Sequence, residues 1–272
     1  MNGGDGDDAI NGTLGRDSIN GGDGNDVGSG SFGDDTISGG NGNDTLNGDE
    51  GRDSIDGGVG DDMIFGGDGD DIARGGFGND FVNGDAGNDD VRGGQGDDIV
   101  VGSFGNDLVQ GDNGHDSLFG GTGRDSLDGG NGNDYIRGHS GADQIKGGDG
   151  NDEITGDAGA DVIDGGDGND MITDSIGLNI LAGGDGNDTI IGGNDSDTII
   201  AGDGHDLVFG GGGRDLIFGG DGNDSLRGNS GGDRFNSGEG ADVLGDLGPN
   251  EVDNESLVIA QSIQLALDAL TF

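Results

Sequence analysis

Asp8, Asp17, Asp26 and Asp35 stand nine residues apart, and the interval repeats through Asp44, Asp53, Asp62, Asp71, Asp80, Asp89, Asp98, Asp107, Asp116, Asp125, Asp134, Asp143, Asp152, Asp161 and Asp170. After one interruption, Asn179, it resumes at Asp188 and continues through Asp197, Asp206, Asp215, Asp224, Asp233 and Asp242. A carboxylate can move protons, attack an electrophile or hold a cation. Catalysis needs one such group in a distinctive setting with a second group to work with, whereas this chain puts the same group in the same setting 26 times. Repetition of this kind suits ligands. Carboxylates and the carbonyls of glycine-rich turns are hard oxygen donors, which favour Ca2+ over zinc or copper. With no Cys and only three His, the chain has no thiolate or histidine-rich metal site to offer.

The aspartates occupy position six of a nonapeptide frame. It runs from Gly3 to Gly245, 27 repeats without an insertion or deletion. Position four is Gly in 26 repeats, the exception being Asp195, and position eight is Ile, Leu, Val or Phe in 25, the exceptions being Gly28 and Ala73. An 18-residue rhythm lies over the nine. Odd-numbered repeats mostly open Gly-Gly, as at Gly21, Gly39 and Gly57, while even ones often carry a polar residue second, such as Ser31, Asp49, Asp85, Ser103, His139 or Asn229. Two nonapeptides therefore make one structural coil with two chemically distinct sides. Glycine at positions one, two and four permits the positive φ of a tight turn. The last three positions, such as Thr189-Ile190-Ile191, have strand character, with position eight inward and positions seven and nine outward. Phe65, Phe119, Phe209 and Phe218, all at position nine, are expected on the surface, and Gly28 and Ala73 are expected to leave thin spots in the aliphatic column.

The pattern Gly-Gly-x-Gly-x-Asp-x-U-x, with U a large aliphatic residue, resembles the RTX (repeats-in-toxin, haemolysin-type) calcium-binding repeat. The resemblance implies an all-β chain: a parallel β-roll over 3–245 with two nonapeptides per coil, then a short C-terminal cap or secretion-signal segment over 246–272. It implies Ca2+ ions between same-side turns of successive coils, held by position-six carboxylates and backbone carbonyls, at most about 25 in all. Their charge of roughly +50 would nearly cancel the chain's net -47. It further implies a non-catalytic, secreted bacterial protein, extracellular or at the cell surface, whose folding is driven by calcium. The type I secretion machinery is then a candidate partner. The alternative is a calcium-stabilised module of a larger secreted enzyme (protease, lipase or polysaccharide-modifying) or of a surface adhesin. Ice binding through a flat face ranks low, because Thr36, Thr45, Thr189 and Thr198 are too scattered for a regular array.

Two repeats on one side depart from the pattern. Residues 174–182 (DSIGLNILA) lack the opening Gly and the Asp, and residues 192–200 (GGNDSDTII) replace the turn Gly with Asp195. A missing or distorted ion is expected between them. Beyond the repeat, Asn254 is expected to cap a helix beginning near Ser256. The ending Asp268-Ala269-Leu270-Thr271-Phe272 resembles the acidic-then-apolar close of a type I secretion signal.

Composition excludes several partners. A chain with 10 Lys and Arg against 57 Asp and Glu cannot neutralise phosphates, so nucleic acid and anionic membrane surfaces are disfavoured. No apolar run reaches membrane-spanning length. Gly28-Ser29-Gly30-Ser31-Phe32-Gly33 matches a dinucleotide fingerprint, but no helix can follow it in this frame. Gly228-Asn229-Ser230-Gly231-Gly232 matches the hydrolase elbow without its strand-turn-helix context. His115 and His205 are ten repeats apart and cannot share a metal.

Overall fold

A nine-residue unit with two or three glycines has room for one short strand, and the β-branched and aliphatic residues that favour one follow each aspartate. The computed structural model describes residues 1–245 and the two-residue strand Val252–Asp253, and every element among the described residues is a β-strand. A typical strand takes the last three residues of one nonapeptide and the first three of the next, as in Thr36–Asn41, Thr45–Glu50 and Ser54–Val59.

The chain divides into two compact units, Met1–Asn131 and Gly132–Phe272. In the first, consecutive strands alternate between two parallel sheets, so that each strand pairs with the one 18 residues away. Ile37 lies beside Ile55 in one sheet, and Leu46 beside Ile64 in the other. The second unit repeats the arrangement, with Ile145 beside Ile163 and Ile154 beside Ile172. This is the parallel β-roll of two nonapeptides per coil. Its last pairing sets Val252 against Arg234, still 18 residues away although the nonapeptide pattern has ended at Gly245. The expected helix near Ser256 and the acidic-then-apolar ending lie outside the described residues.

The core is the position-eight column. Ile37, Leu46, Ile55, Ile64, Val82 and Val91 are fully buried, while their neighbours at positions seven and nine alternate outward. At Gly28 the structure differs from the expected thin spot. A β-carbon there would meet Leu46 Cδ2 at 3.2 Å and Ile37 Cγ2 at 3.4 Å, so the neighbours have already closed over the missing side chain. Phe218 also differs, being only 3 % exposed although it stands at position nine. Outward side chains in register stack on one another along the sheet. Ile200 lies beside Phe218, the rings of Phe65 and Phe81 stand 5.7 Å apart, and the Arg227 guanidinium lies over Phe209.

The turns between strands explain the glycines. Gly69, at position four, has φ +145°, and a β-carbon there would fall 1.4 Å from the Gly51 carbonyl oxygen of the preceding coil. Position two is left-handed in most repeats, even where it is not glycine: Ser31, Asp49, Ser103, His139 and Asn229 all have φ between 64° and 82°. Residues 28–33 lie in strand and turn, without the helix that a dinucleotide site requires.

Candidate metal centre

Each turn ends in its position-six aspartate, and the preceding strand and the glycine turn together fold that side chain under the coil. Asp26, Asp35, Asp44, Asp53, Asp62 and Asp71 are all at most 3 % exposed, which is unusual for carboxylates without a cationic partner. Their two oxygens are used differently. Oδ1 of Asp62 accepts the backbone N–H of Asp44 at 2.8 Å, and Oδ1 of Asp80 accepts that of Asp62 at the same distance. The same bond joins Asp98 to Asp116 and Asp107 to Asp125 in the first unit, and Asp134 to Asp152, Asp143 to Asp161 and Asp215 to Asp233 in the second. Each side of the roll thus carries a ladder of aspartates.

Oδ2 is the atom without a role in the ladder. From Asp26 to Asp107 every position-six Oδ2 is buried and accepts no hydrogen bond, as are those of Asp152, Asp170, Asp188, Asp197, Asp206, Asp215 and Asp224. Beside each lies the position-one residue. A β-carbon on Gly57 would fall 2.3 Å from Asp62 Oδ2 and 2.6 Å from the Gly75 carbonyl oxygen of the next coil. Glycine there leaves open the space onto which a carboxylate oxygen and a carbonyl oxygen converge. Asp17 is an exception, because Thr13 at position two donates both its N–H and its hydroxyl to Asp17 Oδ2. In the first and last repeats Asp8 and Asp242 are half-buried, and Asp242 Oδ1 still accepts the Asp224 N–H.

Burial of these oxygens raises the carboxyls well above their ordinary range. Desolvation pushes Asp62 and Asp89 up to about 7 and Asp53, Asp71 and Asp80 up to about 6, against the opposing hydrogen bond that each Oδ1 accepts. Neighbouring aspartates of the column add to the rise for Asp62 and Asp89. A stack of buried, mutually repelling carboxyls with orphaned oxygens is a site that lacks positive charge. The donor set consists of oxygen alone, which fits Ca2+. Among the described residues no three His, Cys, Asp or Glu side chains form a metal cluster. An ion held here would complete its shell with other oxygens, for which the backbone carbonyls of the turns are at hand.

A second ladder escaped the sequence reading. On the odd side the backbone N–H at position five donates to the position-five side chain one coil earlier: Asn43 to Asn25, Asp61 to Asn43, Asn79 to Asp61, and His115 to Asp97. His205 joins it, donating its N–H to Asn187 and accepting that of Asn223 at Nδ1. The restriction of this position to Asn, Asp and His in every odd repeat but the last, where it is Ala241, was the available signal, since these side chains are short enough to accept from the adjacent coil.

The departing repeats rearrange rather than vanish. The strands leading into them, Met171–Thr173 and Thr189–Ile191, stop after three residues. Asn179 keeps the backbone part of the ladder, its Oδ1 accepting from Asp161 and its N–H donating to Asp197. Asp195 at position four accepts the N–H of Gly177. Asp174, at position one where 24 repeats have glycine, is buried. Desolvation first and the Asp161 charge second raise its carboxyl to about 8.

Known proteins agree with this geometry. The sequence model of the RTX calcium-binding nonapeptide repeat (4 copies) matches residues 2–37, 29–64, 38–73, 65–100, 74–109, 101–136, 110–145, 137–172, 175–208 and 209–244. A search of curated protein sequences gives no match. Among solved structures, the chain resembles the crystal structure of a hyperactive, Ca2+-dependent, β-helical antifreeze protein from an Antarctic bacterium. The TM-score is 0.62 at 24% identity, over 81% of this chain and 83% of that one. That likeness concerns the fold. Matched from residue 2 to residue 244 and built from stacked turns of the same pattern, the chain belongs to the RTX calcium-binding nonapeptide repeat family, and calcium is its metal ion.

Proposed function

We propose that the chain is a secreted, non-catalytic module whose activity is calcium binding coupled to its own folding. The ions are held between successive same-side turns by the Oδ2 atoms of the position-six aspartates and by backbone carbonyls of the glycine turns. The observation that carries this reading is the column of buried Oδ2 atoms without donors, beside glycines whose missing β-carbons leave the space open. The aspartate ladder positions each Oδ2 of the folded coil through the hydrogen bond at Oδ1, which orients the ligand atom toward the gap. Bound calcium supplies the positive charge that offsets repulsion along the column. In a compartment poor in calcium the chain stays unfolded and can be exported through a type I pathway; outside the cell it folds. The antifreeze activity of the structural neighbour is not carried over, since threonines are scattered across both sheets here.

Calorimetric titration of the metal-free chain tests the assignment. Calcium should bind at many sites with a large structural heat, while magnesium, which dehydrates reluctantly and demands octahedral geometry, should bind far more weakly. Equal binding of the two ions, or no heat with calcium, would overturn it.

A further inference from the structure

The repeat 174–182 reads as a defect, since the one repeat without Asp at position six has Asn179 there. It is also the one repeat with Asp at position one. The two departures belong together. Asn179 still serves the ladder through Oδ1, but the atom in the place of Oδ2 is Nδ2, a buried donor without an acceptor, which cannot bind a cation. Five residues earlier, Asp174 is 1 % exposed. Its Oδ1 accepts the N–H groups of Ser175 and Ile176, which leaves Oδ2 buried and without a donor.

That free oxygen points back into the preceding same-side turn. At ordinary position-one glycines the space beside the carboxylate is lined by the next coil's carbonyl: a β-carbon on Gly147 would lie 2.4 Å from the Gly165 oxygen, and one on Gly165 would lie 2.4 Å from the Gly183 oxygen. At Gly156 the corresponding neighbour is instead Asp174 Oδ2, at 2.1 Å, with Asp161 Oδ2 at 2.8 Å. Asp161 Oδ2 is likewise buried, with no partner other than the Asp174 carboxyl. Two buried carboxylates, with no side-chain partner but each other, thus face one opening where the other turns present one carboxylate and one carbonyl. The windows matched by the family model leave out residues 173 and 174, so this ligand lies outside the common pattern.

We propose that Asp174 and Asp161 together hold one calcium ion between turns 156–161 and 174–179, the carboxylate lost at Asn179 having moved to position one. The gap gains a second carboxylate, while the gap on the far side of Asn179, toward 192–197, is the one left without a position-six carboxylate. A site with two carboxylates binds calcium more tightly than one with a single carboxylate, so this ion is retained when chelator strips the others.

The inference rests on the proposed role of the position-six aspartates, and the test separates the two. Calcium bound to the full chain is counted by native mass spectrometry during stepwise chelation, for the parent chain, Asp174→Asn, Asp188→Asn and the double variant Asp174→Gly/Asn179→Asp. Asp174→Asn should abolish the late release, because Asp161 alone is left as an ordinary single-carboxylate site. Asp188→Asn, on the opposite side, should lose an ordinary, early-released ion. The double variant should bind one ion more than the parent, with none released late, and it guards against Asp174→Asn simply misfolding. If Asp188→Asn lowers the count and Asp174→Asn leaves the count and release order unchanged, this inference is overturned and the general reading stands. That is also the outcome if the two carboxyls share a proton instead of an ion. If neither variant changes the count, the position-six reading itself fails.

Discussion

On the proposed reading Oδ1 and Oδ2 of a position-six aspartate do separate work, and substitutions can part them. Asp62→Asn keeps an acceptor for the Asp44 N–H but replaces the orphaned anionic oxygen with an amide, as nature has done at Asn179. The variant should still fold in calcium, with one ion fewer and a higher calcium midpoint. At millimolar calcium the loss should be ~0.4–1.4 kcal/mol, taking a site of the weak extracellular class with Kd ~10⁻⁴–10⁻³ M. An unchanged midpoint would show that Oδ2 is not a ligand. Glycine makes a sharper case. Gly69→Ala requires a β-carbon at φ +145° and 1.4 Å from the Gly51 carbonyl oxygen, so the coil must open. The expected destabilisation of the calcium form is on the order of 3–5 kcal/mol, read as a lowered Tm. Gly212→Ala, where the nearest atom would be 3.1 Å away and φ is not left-handed, should cost much less.

At the scale of strands and turns, the sequence carries the architecture well, because one rule is written 27 times. The period of 18 gave two sheets and the register, and position eight gave the core, as Ile37 beside Ile55 shows. What it hid were contacts between coils that depend on side-chain reach. The position-five ladder needed the knowledge that Asn25 and Asn43 stand one above the other at hydrogen-bonding distance. Phe218 is covered by its own column, and Gly28 is closed over by Leu46. Asp174 looked like a lost glycine until its carboxylate was seen beside Asp161.

The aspartate column also predicts how a side of the roll responds to acid. Asp53 and Asp71 are raised to about 6 and Asp62 and Asp89 to about 7, from 3.8. Without calcium the folded state therefore binds more protons than the unfolded one. Its stability is greatest below the unfolded value and is lost as pH rises through 6–7. Chelated protein should show more sheet signal by circular dichroism at pH 5.5 than at pH 8. With calcium present the order reverses, because protons compete for Oδ2: the calcium midpoint should rise as pH falls from 7.5 to 5.5. A chelated protein that gains sheet as pH rises would contradict the burial of these carboxyls.

For the whole molecule the governing facts are a net charge of -47 and an apolar column that takes one side chain in nine. Such a composition resembles that of chains that stay disordered, and its regular repeat changes the outcome only if cations complete the turns. On the proposed reading the poverty of the core becomes a switch, with folding set by the supply of calcium. The measurement that tests this most directly is far-UV circular dichroism of the full chain at pH 7.5, in excess chelator and then across a calcium titration to millimolar levels. The account predicts an unfolded spectrum in chelator and a steep, cooperative, reversible gain of sheet with calcium. A full sheet spectrum that persists in excess chelator would contradict it.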